Sequence, residues 1–351
     1  MPHLSVPLSN PQPDAAAFIR AVTTTWEPPR PRLVEYLVNA PVMRAVIERI
    51  GRPWAEPGAG PAYWDNFIAM WHHLGYDFVR LEMAMPFPRR HRQSASADRA
   101  FAETGTGPVT SWPDFETYPW PDPSDADFAP YEYVATHLPD GMGLIVCHAG
   151  GIFEHLTYVM GYEGLCLALA DAPDLVQAVT DRIGDLMTAY YQRLLQLERL
   201  IAIFPGDDMG FRSATLISPR DLRRTVLPWH KRFAAMAHHA GLPYFLHSCG
   251  NVEAIVPDLI DDVGIDAKHS FEDAIVPIAE FKRRWGDRIG VLGGIDIDRL
   301  TRLEPQALRR YVREVIDACA PGGRFALGSG NSIPDYVPVE NYLTMIDEAL
   351  Q

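Results

Sequence analysis

Eight short apolar runs, each separated from the next by a stretch with helical signals, set the tightest limit on what this chain can fold into. They are Arg32–Leu37, Phe78–Met83, Leu144–Cys147, Ile201–Pro205, Pro243–His247, Ile265–His269, Ile289–Leu292 and Arg324–Leu327. Strands buried on both faces read as continuous Val/Ile/Leu/Phe runs, and their alternation with helices argues for βα units around a parallel sheet. Eight units in a chain of this length predict an α/β fold closed as a (β/α)8 TIM barrel. A doubly wound open sheet is the alternative, but no G-x-G-x-x-G follows the first run. The expected layout is an N-terminal arm over residues 1–31 and one barrel domain over 32–351, with a long insertion from Pro86 to Asp140 after the second strand. In a barrel such an insertion covers the active-site mouth. Met1 to Asp14, rich in proline, reads as mobile.

Helix boundaries come from caps and breakers. Leu222, Val226, Trp229, Phe233 and Met236 fall on one helical face behind Ser218-Pro219-Arg220-Asp221, a capping-box pattern, and Pro228 should kink that helix. Asp171 is expected to open a helix reaching about Arg199, and Pro305 another that Gly322 and Gly323 close. Formal charge is −14, which disfavours nucleic acid as a partner. No run of eighteen apolar residues is present, so no membrane-spanning helix is expected. Cys147, Cys166, Cys249 and Cys319 are widely spaced and read as reduced thiols of a cytoplasmic protein, a monomer or homodimer.

Barrel enzymes carry their chemistry just beyond the strands. The fifth run ends in His247-Ser248-Cys249, two residues that point to one side and offer a zinc-type nitrogen and sulfur, or a buried histidine beside a structural cysteine. The fourth ends in Asp207-Asp208, which could polarise a substrate, bind a metal or cap backbone N–H groups. Glu35 and Glu82 end the first two runs, either facing a substrate or paired with Arg80, Arg89 or Arg90. His148 after the third run is a pocket acid/base or a loop residue; Glu154 and His155 follow it. Later strand ends supply His269, then Asp296 after Gly293-Gly294, then Ser329 and Asn331 around Gly330, as candidate substrate-binding groups. His238-His239 suits the exposed end of an outer helix.

Gly206-Asp207-Asp208-Met209-Gly210, Leu216-Ile217-Ser218-Pro219, His247-Ser248-Cys249-Gly250-Asn251, Gly293-Gly294-Ile295-Asp296 and Pro338-Val339-Glu340-Asn341 together resemble the uroporphyrinogen decarboxylase-like superfamily. Gly151-Ile152-Phe153-Glu154 and Met160-Gly161-Tyr162-Glu163 fit as well. The resemblance implies a barrel with a deep C-terminal pocket and one of two chemistries. Decarboxylases of the superfamily work without metal or cofactor and grip substrate carboxylates with an arginine-rich segment after the first strand. Here that place reads Glu35-Tyr36-Leu37-Val38-Asn39, where an octacarboxylate would meet a carboxylate. The methyltransferase branch moves methyl groups between corrinoid proteins and thiols or folates, and its thiol-activating members bind zinc through H-x-C and a later cysteine. The matching turn here is Gly328-Ser329-Gly330. The resemblance therefore implies methyl transfer involving a small methylated substrate, with zinc on His247, Cys249 and a carboxylate such as Glu82 or Asp208. Asp207 or Asp208 would position or deprotonate substrate, and the corrinoid would ride on a partner protein. The alternatives are a metal-free decarboxylase or lyase using His148 or an aspartate as proton donor, and a non-catalytic small-molecule-binding barrel.

Overall fold

The computed structural model describes residues 4–88 and 105–351. Eight parallel strands appear in the expected order: β1 Arg32–Leu33, β2 Phe78–Met83, β3 Gly143–His148, β4 Leu200–Ile203, β5 Phe245–His247, β6 Ala267–His269, β7 Gly290–Ile295 and β8 Phe325–Ser329. They pair as β1-β8-β7-β6-β5 and β2-β3-β4. Parallel bridges Ile203↔Tyr244 and Gly206↔His247 join β4 to β5. Among the described residues β1 and β2 share no backbone ladder, and side chains cross that seam instead. Arg32 pairs with Asp77 at one end (3.2 Å), and Arg80 donates to the Tyr36 carbonyl at the other (2.9 Å). The result is a (β/α)8 barrel with one seam closed by side chains.

The first strand is shorter than its apolar run for an identifiable reason. Val34 N–H still reaches Leu327 O (2.8 Å), but the Glu35 carboxyl then takes the Ser329 N–H (3.2 Å) that a continued ladder would have used. The chain regains its neighbour only at Leu37, Val38 and Asn39, which pair with Ile333.

Helices over Pro61–His73, Pro173–Leu194, Leu227–His239, Pro305–Cys319 and Val339–Leu350 cover the outside. The helix predicted from Ser218 is two, Pro219–Thr225 and Leu227–His239, broken just before Pro228, which has no N–H to continue the ladder. Ser218 accepts from Asp221 N–H and its hydroxyl donates to Asp221 Oδ2 (2.6 Å), so the cap is a Ser–Asp pair and not the reciprocal box. Asp171 closes the helix Tyr162–Asp171 instead of opening the next, which starts at Pro173, a residue suited to a first turn.

The N-terminal segment is not loose. Ser5 bonds Asp347 (2.6 Å), Leu8 N–H bonds His73 O (2.7 Å), and the helix Ala15–Thr23 buries Phe18, Ala21 and Val22. Phe18 packs on Phe78 at the start of β2 and on Phe245 at the start of β5, ring centroids 4.6 and 6.4 Å away. It thereby stops the N-terminal end of the barrel. In the insertion after β2, the described part carries the helix Ala129–His137 and bonds Gly107 and Val109 to the carbonyls of Met160 and Val159. The rest of it, with Arg89 and Arg90, lies outside the described residues.

Candidate metal centre

The ends of β4 and β5 bring Asp208, His247 and Cys249 together. One ligand atom from each lies within 4.8 Å of the others. Cys249 Sγ is 3.3 Å from His247 Nε2, and Asp208 Oδ1 is 3.6 Å from the same nitrogen. The Cys249 N–H donates to Asp208 Oδ1 (2.8 Å), which orients the carboxylate. The two loops that carry these residues touch backbone to backbone at Gly210 and Gly250. A Cβ on Gly210 would collide with the Cys249 carbonyl, and Gly250 adopts φ +75°, so glycine is required on both sides of the contact.

The state of His247 follows from its neighbours. Burial drives both His247 and His269 toward the neutral form, His269 down to about 3. His269 Nε2 lies 3.2 Å from the Ser329 carbonyl, which can only accept. His269 Nε2 therefore carries hydrogen and its Nδ1 a lone pair. His247 Nδ1, 2.7 Å from that lone pair, must donate to it. This leaves the lone pair of His247 on Nε2, aimed at Cys249 and Asp208. A ligating imidazole is commonly oriented through its other nitrogen in this way.

Desolvation sets the remaining charges. It pushes the Cys249 thiol up, with Asp208 adding to the effect, and raises Asp208 to about 6. Asn331 Nδ2 (3.1 Å) and Ser270 Oγ (3.5 Å) face the sulfur. One imidazole nitrogen, one sulfur and one carboxylate oxygen, all from buried groups, are a donor set that fits zinc.

Other expected site residues have different positions. Asp207 is fully buried, and its oxygens accept the N–H groups of Phe153 and Glu154 (both 3.0 Å) and face His230 Nε2 (2.8 Å). It anchors the start of the helix Ile152–Met160, each oxygen taking one of that helix's backbone N–H groups. His148, the last residue of β3, accepts from Met85 N–H (2.8 Å), and its Nδ1 faces Gly150 O (3.2 Å), so both ring nitrogens face backbone groups. Asp296 caps the helix Ile297–Arg302 through Arg299 N–H and accepts from Asp273 N–H (2.9 Å). Each oxygen of Asp296 thus takes one backbone N–H, as in a helix cap.

Glu35 accepts from Ser329 Oγ (2.6 Å), Ser329 N and Tyr36 N, and burial raises it to about 8. Ser329, in the turn that the resemblance matches to a later zinc-binding cysteine, is thus committed to Glu35. Glu82 is paired with Arg80 (2.6 Å) and accepts from the Tyr36 hydroxyl (3.2 Å). Glu154 bonds Gly151 N–H and is raised by burial, then by Asp208 and Asp207; His155 is buried against Ala149 O. Of the two carboxylates expected to complete the ligand set, Asp208 stands with His247 and Cys249. Sequence reading passed over Tyr36, whose ring stacks on His247, and cast Arg80 only as an ion-pair partner. An aromatic next to a candidate carboxylate was the available signal.

The profile of the uroporphyrinogen decarboxylase (URO-D) family matches residues 103–351. The chain belongs to this family. In overall structure it is similar to a methyltransferase from Methanosarcina mazei, with TM-score 0.70 and 16% identity over 96% of this chain and 98% of that one. A putative vitamin-B12 independent methionine synthase from Listeria monocytogenes is also similar, with TM-score 0.49 and 10% identity over 92% and 96% of the two chains. No curated protein matches the sequence. The chain is thus a URO-D family barrel whose four cysteines are free, and no helix among its described residues is long and apolar enough to cross a membrane.

Proposed function

We propose that this URO-D family member is a methyl-transferring enzyme with zinc held by Asp208, His247 and Cys249, the corrinoid being carried by a partner protein. The observation that carries the reading is the convergence of those three donors within 4.8 Å at the ends of β4 and β5. The name borne by the structurally similar Methanosarcina protein supports the same branch. Bound zinc would supply Lewis acidity and hold an acceptor thiol as thiolate. The chain's own residues do the rest. His269 holds the tautomer of His247, the Cys249 N–H fixes Asp208, and Asn331 and Ser270 place hydrogen-bond donors against the sulfur.

Arg80 weighs against decarboxylation of a polycarboxylate. It is fully buried and engaged by Glu82, Cys147 and the carbonyls of Tyr36 and Phe204, so it cannot grip a substrate anion. The test is elemental analysis of protein purified without a histidine tag, paired with methyl transfer from methylcobalamin to a thiol. Near-stoichiometric zinc and transfer that both vanish in Cys249→Ala are expected. Turnover with zinc, cobalt, nickel and iron all substoichiometric after supplementation would sink the metal reading and favour acid–base chemistry.

A further inference from the structure

Tyr36 lies between Arg80 and a pair of histidines. The Arg80 guanidinium carbon lies 3.5 Å from the centre of the Tyr36 ring. On its other side the phenol ring stacks on His247, centroids 4.0 Å apart and planes 19° from parallel. His269 lies beside His247, its centroid 5.0 Å from that of His247 and 5.8 Å from that of Tyr36. Tyr36 comes just after β1 and His247 ends β5, so no backbone ladder holds these two rings together.

Side chains hold them instead. The Tyr36 carbonyl accepts from Arg80 Nη1, and its hydroxyl donates to Glu82, which in turn accepts from Arg80 Nη2. Arg80 also donates to Phe204 O (2.9 Å). On the facing side, a Cβ on Gly206 would run into the phenol oxygen, so glycine there makes room for the ring. A buried guanidinium is retained when its partners are fixed and geometrically matched. These bonds fix both the main chain and the hydroxyl of Tyr36, and its ring bears most closely on the His247 imidazole, with Phe204 edge-on and His269 further off.

We infer that Arg80 and Tyr36 are positioning residues for His247, the guanidinium clamping the phenol and the phenol ring setting the plane in which His247 presents Nε2 to Cys249 and Asp208. The role of that nitrogen as a ligand rests on the proposed metal function; the clamp does not. A stack on one face and a hydrogen bond from Nδ1 together leave the imidazole a single orientation. Removing either should free the ring to rotate and lose its fixed tautomer.

The test uses the full chain labelled with 15N-histidine, with the His247 signals assigned by their loss in His247→Gln. Proton–nitrogen correlation then reads the tautomer directly. Wild type and Tyr36→Phe, which keeps the stacked ring, should show one Nδ1–H form. Tyr36→Leu and Arg80→Met should show mixed or exchange-broadened forms and bind zinc 10- to 100-fold more weakly in competition with a chelator, the usual scale for groups that orient a ligand. Gly206→Ala, which presses on Tyr36 from the other side and keeps both residues, should give the same mixed forms if the first two variants fold poorly. A single unchanged Nδ1–H form in Tyr36→Leu and Gly206→Ala would overturn the inference. If the tautomer responds as expected but wild type takes up no zinc, the clamp stands and the metal reading falls.

Discussion

Nδ1 of His247 lies 2.7 Å from Nδ1 of His269, and a single hydrogen must join them. Because His269 gives its one N–H hydrogen to Ser329 O and can only accept at Nδ1, the direction of this bond is fixed from β8 inward to the site. His269→Phe keeps a ring in place and removes the acceptor. Zinc affinity should fall 10- to 100-fold while the overall fold, read by circular dichroism, is kept. Unchanged affinity in a competitive chelator titration would show that the bond sets nothing.

Zinc binding should release protons. Burial holds Cys249 as thiol and Asp208 high, at about 6, and a bound cation reverses both. Affinity should therefore rise with pH across the neutral range. Calorimetry in buffers of different ionisation enthalpy measures the release directly. Asp208→Asn should weaken binding and lower proton release at pH 6, and Cys249→Ala should abolish binding, since one nitrogen and one oxygen are too few protein ligands to hold zinc.

Glu35 gives a stability signature of known sign. Its folded-state value, about 8, lies above its unfolded value, so the folded chain holds a proton that the unfolded chain has released. The group is fully stabilising only below the unfolded value, and its contribution is lost as pH rises toward 8, at about 1.4 kcal/mol per pH unit. Between pH 6.5 and 8 unfolded histidines lose their remaining charge and Lys268, lowered by burial to about 8, reaches its midpoint, and both do so alike in wild type and Glu35→Gln. The stability of Glu35→Gln should therefore gain on that of wild type across this window. Parallel denaturation curves of the two proteins at pH 6.5 and 8 would expose an error here.

Ser329→Cys tests whether the family's missing thiolate can be restored by one change. Ser329 Oγ donates to Glu35 and points to that carboxyl, so a thiol there should leave zinc stoichiometry as in wild type. The lost buried hydrogen bond should cost about 1–3 kcal/mol in denaturant unfolding. Tighter zinc binding would mean that the side chain can turn back to the site.

All eight strands were legible because a parallel strand covered on both faces has only one kind of sequence. His247 and Cys249 were legible too, since their two-residue spacing at a strand end puts both on one side. Asp208 could be narrowed only to one of several carboxylates. Whether Asp207, His148 or Asp296 faces substrate depends on which backbone N–H groups come near, and those groups belong to residues 23 to 63 positions away or to the next helix turn. Arg80 gave little sign of its range of contacts. An arginine inside a strand reads as an exception to apolar patterning, and its partners Tyr36, Cys147 and Phe204 come from three other segments.

The Phe18 stopper has a kinetic meaning. With one end of the barrel filled by the ring that touches both Phe78 and Phe245, the described residues leave the opposite end as the way in. Under the proposed methyl transfer, donor and acceptor would then share that entrance, a bulky donor protein seated there would shut out a second large guest, and turnover would proceed by alternating visits.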